Sequence, residues 1–167
     1  FHEEGMENIQ VIPKARIPII KFKDPRSGLD VDISLDNRLA IHNSMMLKSY
    51  AQEERLQRLI QMVKYWASRR GINNAFDGTL SSYAWTLLSI QHAQLVQPPL
   101  APNRQEGVEA NPITFKGTTF DVGYNDEHYA TENNQSLASL LISFFERFAT
   151  RWDWENMVVS VRSGEAL

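Results

Sequence analysis

The stretch ARIPIIKFKDPRSGLDVDIS, Ala15 to Ser34, decides the fold of this chain. Residues 15–24 alternate imperfectly and are rich in isoleucine, which predicts a strand. Pro18 has no N–H to give a ladder, so it predicts an edge position or a bulge there. Asp24-Pro25-Arg26-Ser27-Gly28 has the composition of a turn. Leu29, Val31 and Ile33 then alternate with Asp30, Asp32 and Ser34, as in a half-buried strand whose carboxylates share the opposite face. The two strands make a β-hairpin.

Outward from the hairpin, the period changes near Leu35. Residues 37–48 predict a helix, and Ser49-x-x-Gln52 has the form of a capping box opening a second one. In that helix Leu56, Leu59, Ile60, Val63, Trp66 and Ala67 recur at helical spacing, and Gly71 stands where a C-terminal glycine belongs. A third helix is predicted from about Thr79 to Val96, stopped by Pro98-Pro99. Residues 98–134 hold most of the loop signals, with Pro98, Pro99, Pro102, Pro112, Gly107, Gly117 and Gly123, and one short strand is expected near Thr114–Phe120. Leu137, Leu140, Leu141, Phe144, Phe145 and Phe148 form one apolar face of a last helix, and Val158–Val161 is a short apolar run. Strands first and helices after predict an α+β chain, with residues 1–36 closing an α/β domain and 37–167 forming a mainly helical one.

A length of 167 residues suits one average domain or pieces of two. The 43% hydrophobic content can supply a core. With no cysteine, disulfides and thiolate zinc sites are excluded, and no run approaches the ~20 apolar residues of a membrane span. The net charge of −3 weighs weakly against a large polyanion-binding surface. Basic residues nevertheless cluster, first Lys14, Arg16, Lys21, Lys23 and Arg26, then Arg55, Arg58, Lys64, Arg69 and Arg70. The chain opens on Phe1, without a secretory signal, and is expected to be a fragment, a processed product or a trimmed form.

Several residues are suited to phosphate chemistry. Asp30 and Asp32 lie two apart on one strand face, and a carboxylate on a rigid strand is a good ligand for Mg²⁺. Taken alone, the pattern is also that of a solvated polar face. Asn43 and Ser44 fall inside a helix, where neither is favoured; they suit ribose hydroxyls or phosphate oxygens, or simple exposure. Lys64 is a mobile charge on a polar helix face. In GTLSSYAW, Gly78 to Trp85, the free N–H groups of a helix start favour an anion, and Tyr83 can stack on a base. The alternative there is a plain cap by Thr79 or Ser81 with Tyr83 in the core. His2, His42, His92 and His128 lack metal spacing, and Trp66, Trp85, Trp152 and Trp154 read as packing groups. No G-x-S-x-G, Walker loop or zinc motif is present.

Taken together, RIPIIKFKDPRSGLDVDIS, Asn43-Ser44 and VKYWASRRGINNAFDGTLSSYAWTLL resemble the terminal uridylyltransferases. With the template-independent poly(A) polymerases, these belong to the DNA polymerase β-like nucleotidyltransferases. The resemblance is dense over residues 15–97 and returns in NNQSLASLLISFFERFATRWDWENMVVSVRSG. It implies the last strands of a catalytic domain followed by a helical domain that closes over the nucleotide. It makes Asp32 the third catalytic aspartate and a metal ligand. It places Asn43 and Ser44 on the ribose and triphosphate, Lys64 and Ser82 on phosphates, and Tyr83 on the uracil. A second phosphate-binding lysine of the family falls at Ser68, a departure that Arg69 or Arg70 would have to make good. The family's Gly-Ser motif and first two aspartates are expected upstream of Phe1, and its late recognition motif after Leu167.

The implied activity is RNA uridylyl transfer: UMP passes from UTP to an RNA 3′ end with Mg²⁺ or Mn²⁺, and the chain by itself is expected to be inactive. The implied partners are UTP and the RNA 3′ end, with no membrane and with a protein complex left open. The setting is intracellular, cytoplasmic or mitochondrial. Two alternatives stand beside it, a poly(A) polymerase of the same superfamily and an inactive relative that binds RNA or protein.

Overall fold

The computed structural model describes residues 5–15 and 17–164; His2 and Arg16 lie outside them. Strands come first and helices after, an α+β arrangement, apart from one late hairpin. The chain divides into two compact units, the first ending at Asn43 and the second starting at Ser44.

In the first unit, β1 (Glu7–Ile12), β2 (Ile19–Lys23) and β3 (Asp30–Ser34) form an antiparallel sheet in the order β1-β2-β3. β1 was not anticipated, because half of ENIQVI is polar and it carries no alternation along its whole length. Its presence makes β2 the middle strand. Pro18 therefore marks neither an edge nor a bulge in this sheet; it precedes the first residue of β2, where no ladder N–H is needed.

The turn between β2 and β3 is held by Asp24. Its carboxylate accepts from the Arg26 and Ser27 N–H groups and the Ser27 hydroxyl, bonds that hold it below the usual carboxylate range. Gly28 supplies the positive φ of 71° that closes the loop. The register sets Lys21 opposite Asp32 and Lys23 opposite Asp30 on one face, with Ile20 opposite Ile33 and Phe22 opposite Val31 on the other. Phe22 is buried, whereas Leu29 and Ile33 are 63% and 42% exposed, so β3 is less covered than its alternation predicts.

The helix α1 (Arg38–Tyr50) runs through the division between the units. Its last turn corrects the expected capping box. Ser49 lies inside α1 and donates its hydroxyl to the Met46 carbonyl at 2.6 Å, while the Gln52 side chain donates to the Asp126 carbonyl. The cap of α2 (Glu54–Arg69) is Glu53, whose carboxylate accepts from the Arg55 N–H. At the far end of α2, Ile72 N–H donates to Ala67 and Gly71 N–H to Ser68. That closes a Schellman motif around Gly71, whose φ is 67°.

The core belongs to the second unit. Leu56, Leu59, Val63 and Ala67 of α2 are fully buried against α3 (Ser82–Leu95) and α4 (Leu137–Glu146). Each large side chain among them contributes about 1.5–3 kcal/mol on burial. Trp66 meets Trp85 edge-on at 5.7 Å and Phe145 at 4.7 Å, and Trp85 donates to the Ile72 carbonyl. Trp152 is buried as well, while Trp154 is 54% exposed and donates to the Phe148 carbonyl. Leu140, Phe144 and Phe148 continue the apolar stripe through a single π turn, Arg147–Arg151.

Residues 98–134 are ordered by polar contacts as well as by the burial of Leu100 and Ala101 in the core. Arg104 is 4% exposed and donates to the carbonyls of Ser49, Asn125 and Glu127, with its guanidinium 5.4 Å from the Tyr50 ring. Instead of the single strand expected near Thr114–Phe120 there is a hairpin, β4 (Pro112–Phe115) with β5 (Thr118–Asp121). Lys116 and Gly117, at φ 50° and 79°, make its two-residue turn. Asp121 ties it to the C-terminal segment, accepting from the Asn111 and Gly123 N–H groups and pairing with Arg162.

Candidate nucleotide-binding site

Asp32 sits mid-strand in β3, and its carboxylate meets Lys21 Nζ at 3.1 Å across the ladder. Both partners are well exposed, so the pair is weak by itself. Asp30 shares the face, opposite Lys23. Two carboxylates on one rigid strand face offer the hard oxygen donors that Mg²⁺ takes. No group of three metal-ligating side chains occurs among the described residues. The residues present thus fit one side of a divalent-cation site and do not complete it. Asn43, half-buried, and Ser44, exposed, follow on α1 as adjacent residues.

In the second unit, Lys64 and Ser68 stand one turn apart on α2. Lys64 is half-buried and makes no ion pair among the described residues. Arg69 and Arg70 follow Ser68 at the helix end, both exposed.

The start of α3 departs from the expected Thr79. Ser81 is the cap, its hydroxyl accepting from the Ala84 N–H at 3.2 Å. Thr79 instead closes the preceding loop: its hydroxyl donates to the Asn74 carbonyl and accepts from the Asn74 N–H. Ser82 donates to the Asn73 side-chain oxygen at 3.0 Å. The hydroxyl the sequence singled out is therefore oriented by an asparagine it did not. Tyr83 is 41% exposed in the first turn of α3 rather than in the core, and partial burial raises its phenol above the usual value.

An open cleft of about 300 Å³ lies beside the end of α1, lined by Met45, Lys48, Ser49, Gln52, Tyr124 and Asp126. None of the candidate metal- or nucleotide-binding residues lines it.

Comparison with known proteins gives this arrangement a family. Residues 1–52 match the family described as the central palm domain of mitochondrial-like poly(A) RNA polymerases, and residues 136–167 match the Cid1 family poly A polymerases. The terminal uridylyltransferase cid1 of Schizosaccharomyces pombe is 37% identical over 169 residues, 95% of this chain and 41% of that protein. The chain belongs to the Cid1 nucleotidyltransferase family. Another member, the poly(A) RNA polymerase GLD2-A of Xenopus laevis, is 34% identical over 97% of this chain and 32% of its own length. Among solved structures, Cid1 with the UTP analogue UMPNPP superposes with a TM-score of 0.86 at 34% identity, covering 99% of this chain and 55% of that one. Cid1 with Mg and 3′-dATP gives 0.84 at 36% identity, over 96% and 51%. The chain thus spans about a third of the GLD2 relatives' length and about half of the Cid1 chains.

Buried polar groups that the sequence did not flag support the second unit. His92 on α3 is fully buried. Its Nδ1 accepts from Arg147 Nε at 3.1 Å, and its Nε2 lies 3.1 Å from the Ser143 hydroxyl. Burial, reinforced by Arg147, pushes its pKa down to about 4. No periodicity announces such a contact, because its partner is 55 residues away.

Proposed function

We propose that the protein carrying this chain is an RNA uridylyltransferase, adding UMP from UTP to RNA 3′ ends and releasing pyrophosphate. The observation that carries this is the match of nearly the whole chain to Cid1 bound to a UTP analogue. Tyr83, half-exposed in the first turn of α3, supports it. In this proposal residues 1–36 supply the end of the catalytic domain and residues 37–167 the nucleotide-binding domain.

Asp32 is the carboxylate that holds Mg²⁺ or Mn²⁺, with Asp30 beside it on the strand. A divalent ion bound there supplies charge neutralisation for the leaving pyrophosphate and a more acidic 3′ hydroxyl. The rest is positioning. Asn43 and Ser44 hold the ribose and triphosphate. Lys64 and Ser82 take phosphate oxygens, the Ser82 hydroxyl turning its one proton from the Asn73 side-chain oxygen to the phosphate. Ser68 brings no charge to the second lysine's place, so Lys64 is the cation on the triphosphate. Tyr83 stacks on the base. Lys21, paired with Asp32 across the ladder, would have to give up that carboxylate where Asp32 holds the ion.

Transfer of AMP instead is the second reading, favoured by the 34% identity to GLD2-A. Titration calorimetry of the intact protein with UTP and ATP in Mg²⁺, beside Tyr83→Ala, separates the two. Tighter UTP binding is expected, weakened roughly 5- to 150-fold in the variant by loss of stacking. Tighter ATP binding identifies a poly(A) polymerase, and binding of neither marks an inactive relative.

A further inference from the structure

We propose that Phe76, with Arg69 and Arg70, forms a stacking platform for a base of single-stranded RNA. This rests on the RNA-modifying function proposed above and assigns part of the acceptor strand's path.

Phe76 is 94% exposed, more than any other large apolar side chain described. An aromatic ring left in water is unfavourable, and a mobile loop would let it fold back onto the surface. The backbone that carries Phe76 is denied that mobility. Its turn, Ala75–Asp77, is capped by Asn74, whose side-chain oxygen accepts from the Phe76 N–H. Asn74 also exchanges two hydrogen bonds with the Thr79 hydroxyl, and its carbonyl accepts from the Asp77 and Thr79 N–H groups. Gly78, at φ 77°, ends the turn in a conformation that other residues resist. The Ser82–Asn73 bond ties the segment to the first turn of α3. A solvent-exposed ring on a fixed backbone loses less freedom on meeting a flat partner than one on a mobile loop.

The charge around it selects the partner. Arg69 and Arg70 end α2 a few residues earlier, exposed and without ion pairs among the described residues. The chain from Arg70 to Phe76 spans at most about 20 Å. The turn's own carboxylate, Asp77, is engaged by the Asn74 side-chain amide at 2.6 Å. Residues 74–78 are all exposed, and besides Ala75 the ring's neighbours in the turn are polar or glycine. A protein-docking anchor usually sits inside an apolar patch. A single ring in a polar surround, with two exposed guanidinium groups within that length of chain, instead fits a base with its phosphates.

The test is anisotropy of a short 5′-labelled single-stranded RNA on the intact protein, with chelator present and no nucleoside triphosphate. Phe76→Ala is expected to bind roughly 5- to 150-fold more weakly, with UTP affinity and thermal midpoint unchanged, and Phe76→Tyr to restore binding. Phe76→Trp is expected to add an emission that RNA quenches. Arg69→Gln and Arg70→Gln should each lower the slope of log K against log salt by about 0.7. RNA binding by Phe76→Ala equal to the parent's overturns the platform and leaves the turn to a protein partner. Weakening by the arginine variants alone also overturns it, because phosphate is then held without stacking. A parent protein that binds no RNA overturns both this proposal and the function it rests on.

Discussion

His92→Gln tests the buried polar centre of the helical unit through pH. Arg147 Nε donates to His92 Nδ1, so the imidazole is neutral with its proton on Nε2, donated to Ser143, whose hydroxyl passes on to the Leu140 carbonyl. A second proton would set an N–H on Nδ1 against the Arg147 N–H, in a site with no exposure. The pKa therefore falls from 6.5 to about 4. Above pH 6.5 the folded and unfolded chains are both neutral at this residue, and its contribution is fully present. As pH falls from 6.5 to 4, the unfolded chain takes the proton and the folded chain does not, so stability is lost across that window. A shift of this size corresponds to about 3 kcal/mol. Gln cannot titrate. His92→Gln should therefore be less stable than the parent at neutral pH, having lost the ring's contacts with Phe144 and Phe148. That gap should shrink by about 3 kcal/mol by pH 4, measured as urea unfolding followed by tryptophan fluorescence. Parallel pH profiles, or an imidazole that titrates near 6.5 by NMR, would refute the assignment.

Asp32→Asn in the intact protein should reduce nucleotidyl transfer by at least roughly 100-fold, beyond what loss of an outer-shell metal partner costs; labelled-UTP incorporation measures it, and normal turnover removes Asp32 from the site. Gly71→Ala forces φ 67° on a residue with a Cβ and should cost about 1–2 kcal/mol. Since nothing lies within 4 Å of that Cβ, the loss is strain alone, and Gly71→Asn should recover part of it in thermal melts.

The helices were the most legible part. Leu56, Leu59, Val63 and Ala67 announce their burial because each apolar contact depends on the 3.6-residue period, and all four are fully buried. The β2–β3 hairpin was legible for a similar reason, since Asp24 and Gly28 carry the whole chemistry of its turn. Where a polar residue had two uses, local pattern misled. Ser49 looked like a cap and is an internal hydroxyl, because α1 continues past it to bury Tyr50 beside Arg104. Thr79 looked like a helix start and closes a loop onto Asn74. β1 was missed because its pairing with β2, not its own composition, makes it a strand.

The sequence by itself determined the class of the protein. Asp32 on its strand, Asn43-Ser44 and the run from Gly78 to Tyr83 are local patterns, and the family match extends along nearly the whole chain. Tertiary structure decided what those residues can do. It set Lys21 against Asp32, gave the Ser82 hydroxyl to Asn73, and left Tyr83 half in solvent and Phe76 exposed on a capped turn. It also buried His92 against Arg147 and Arg104 among three carbonyls. The division has one physical origin. Periodicity and turn chemistry depend on neighbours a few residues away, whereas burial, ion pairing and a shifted pKa depend on groups brought together from distant parts of the chain.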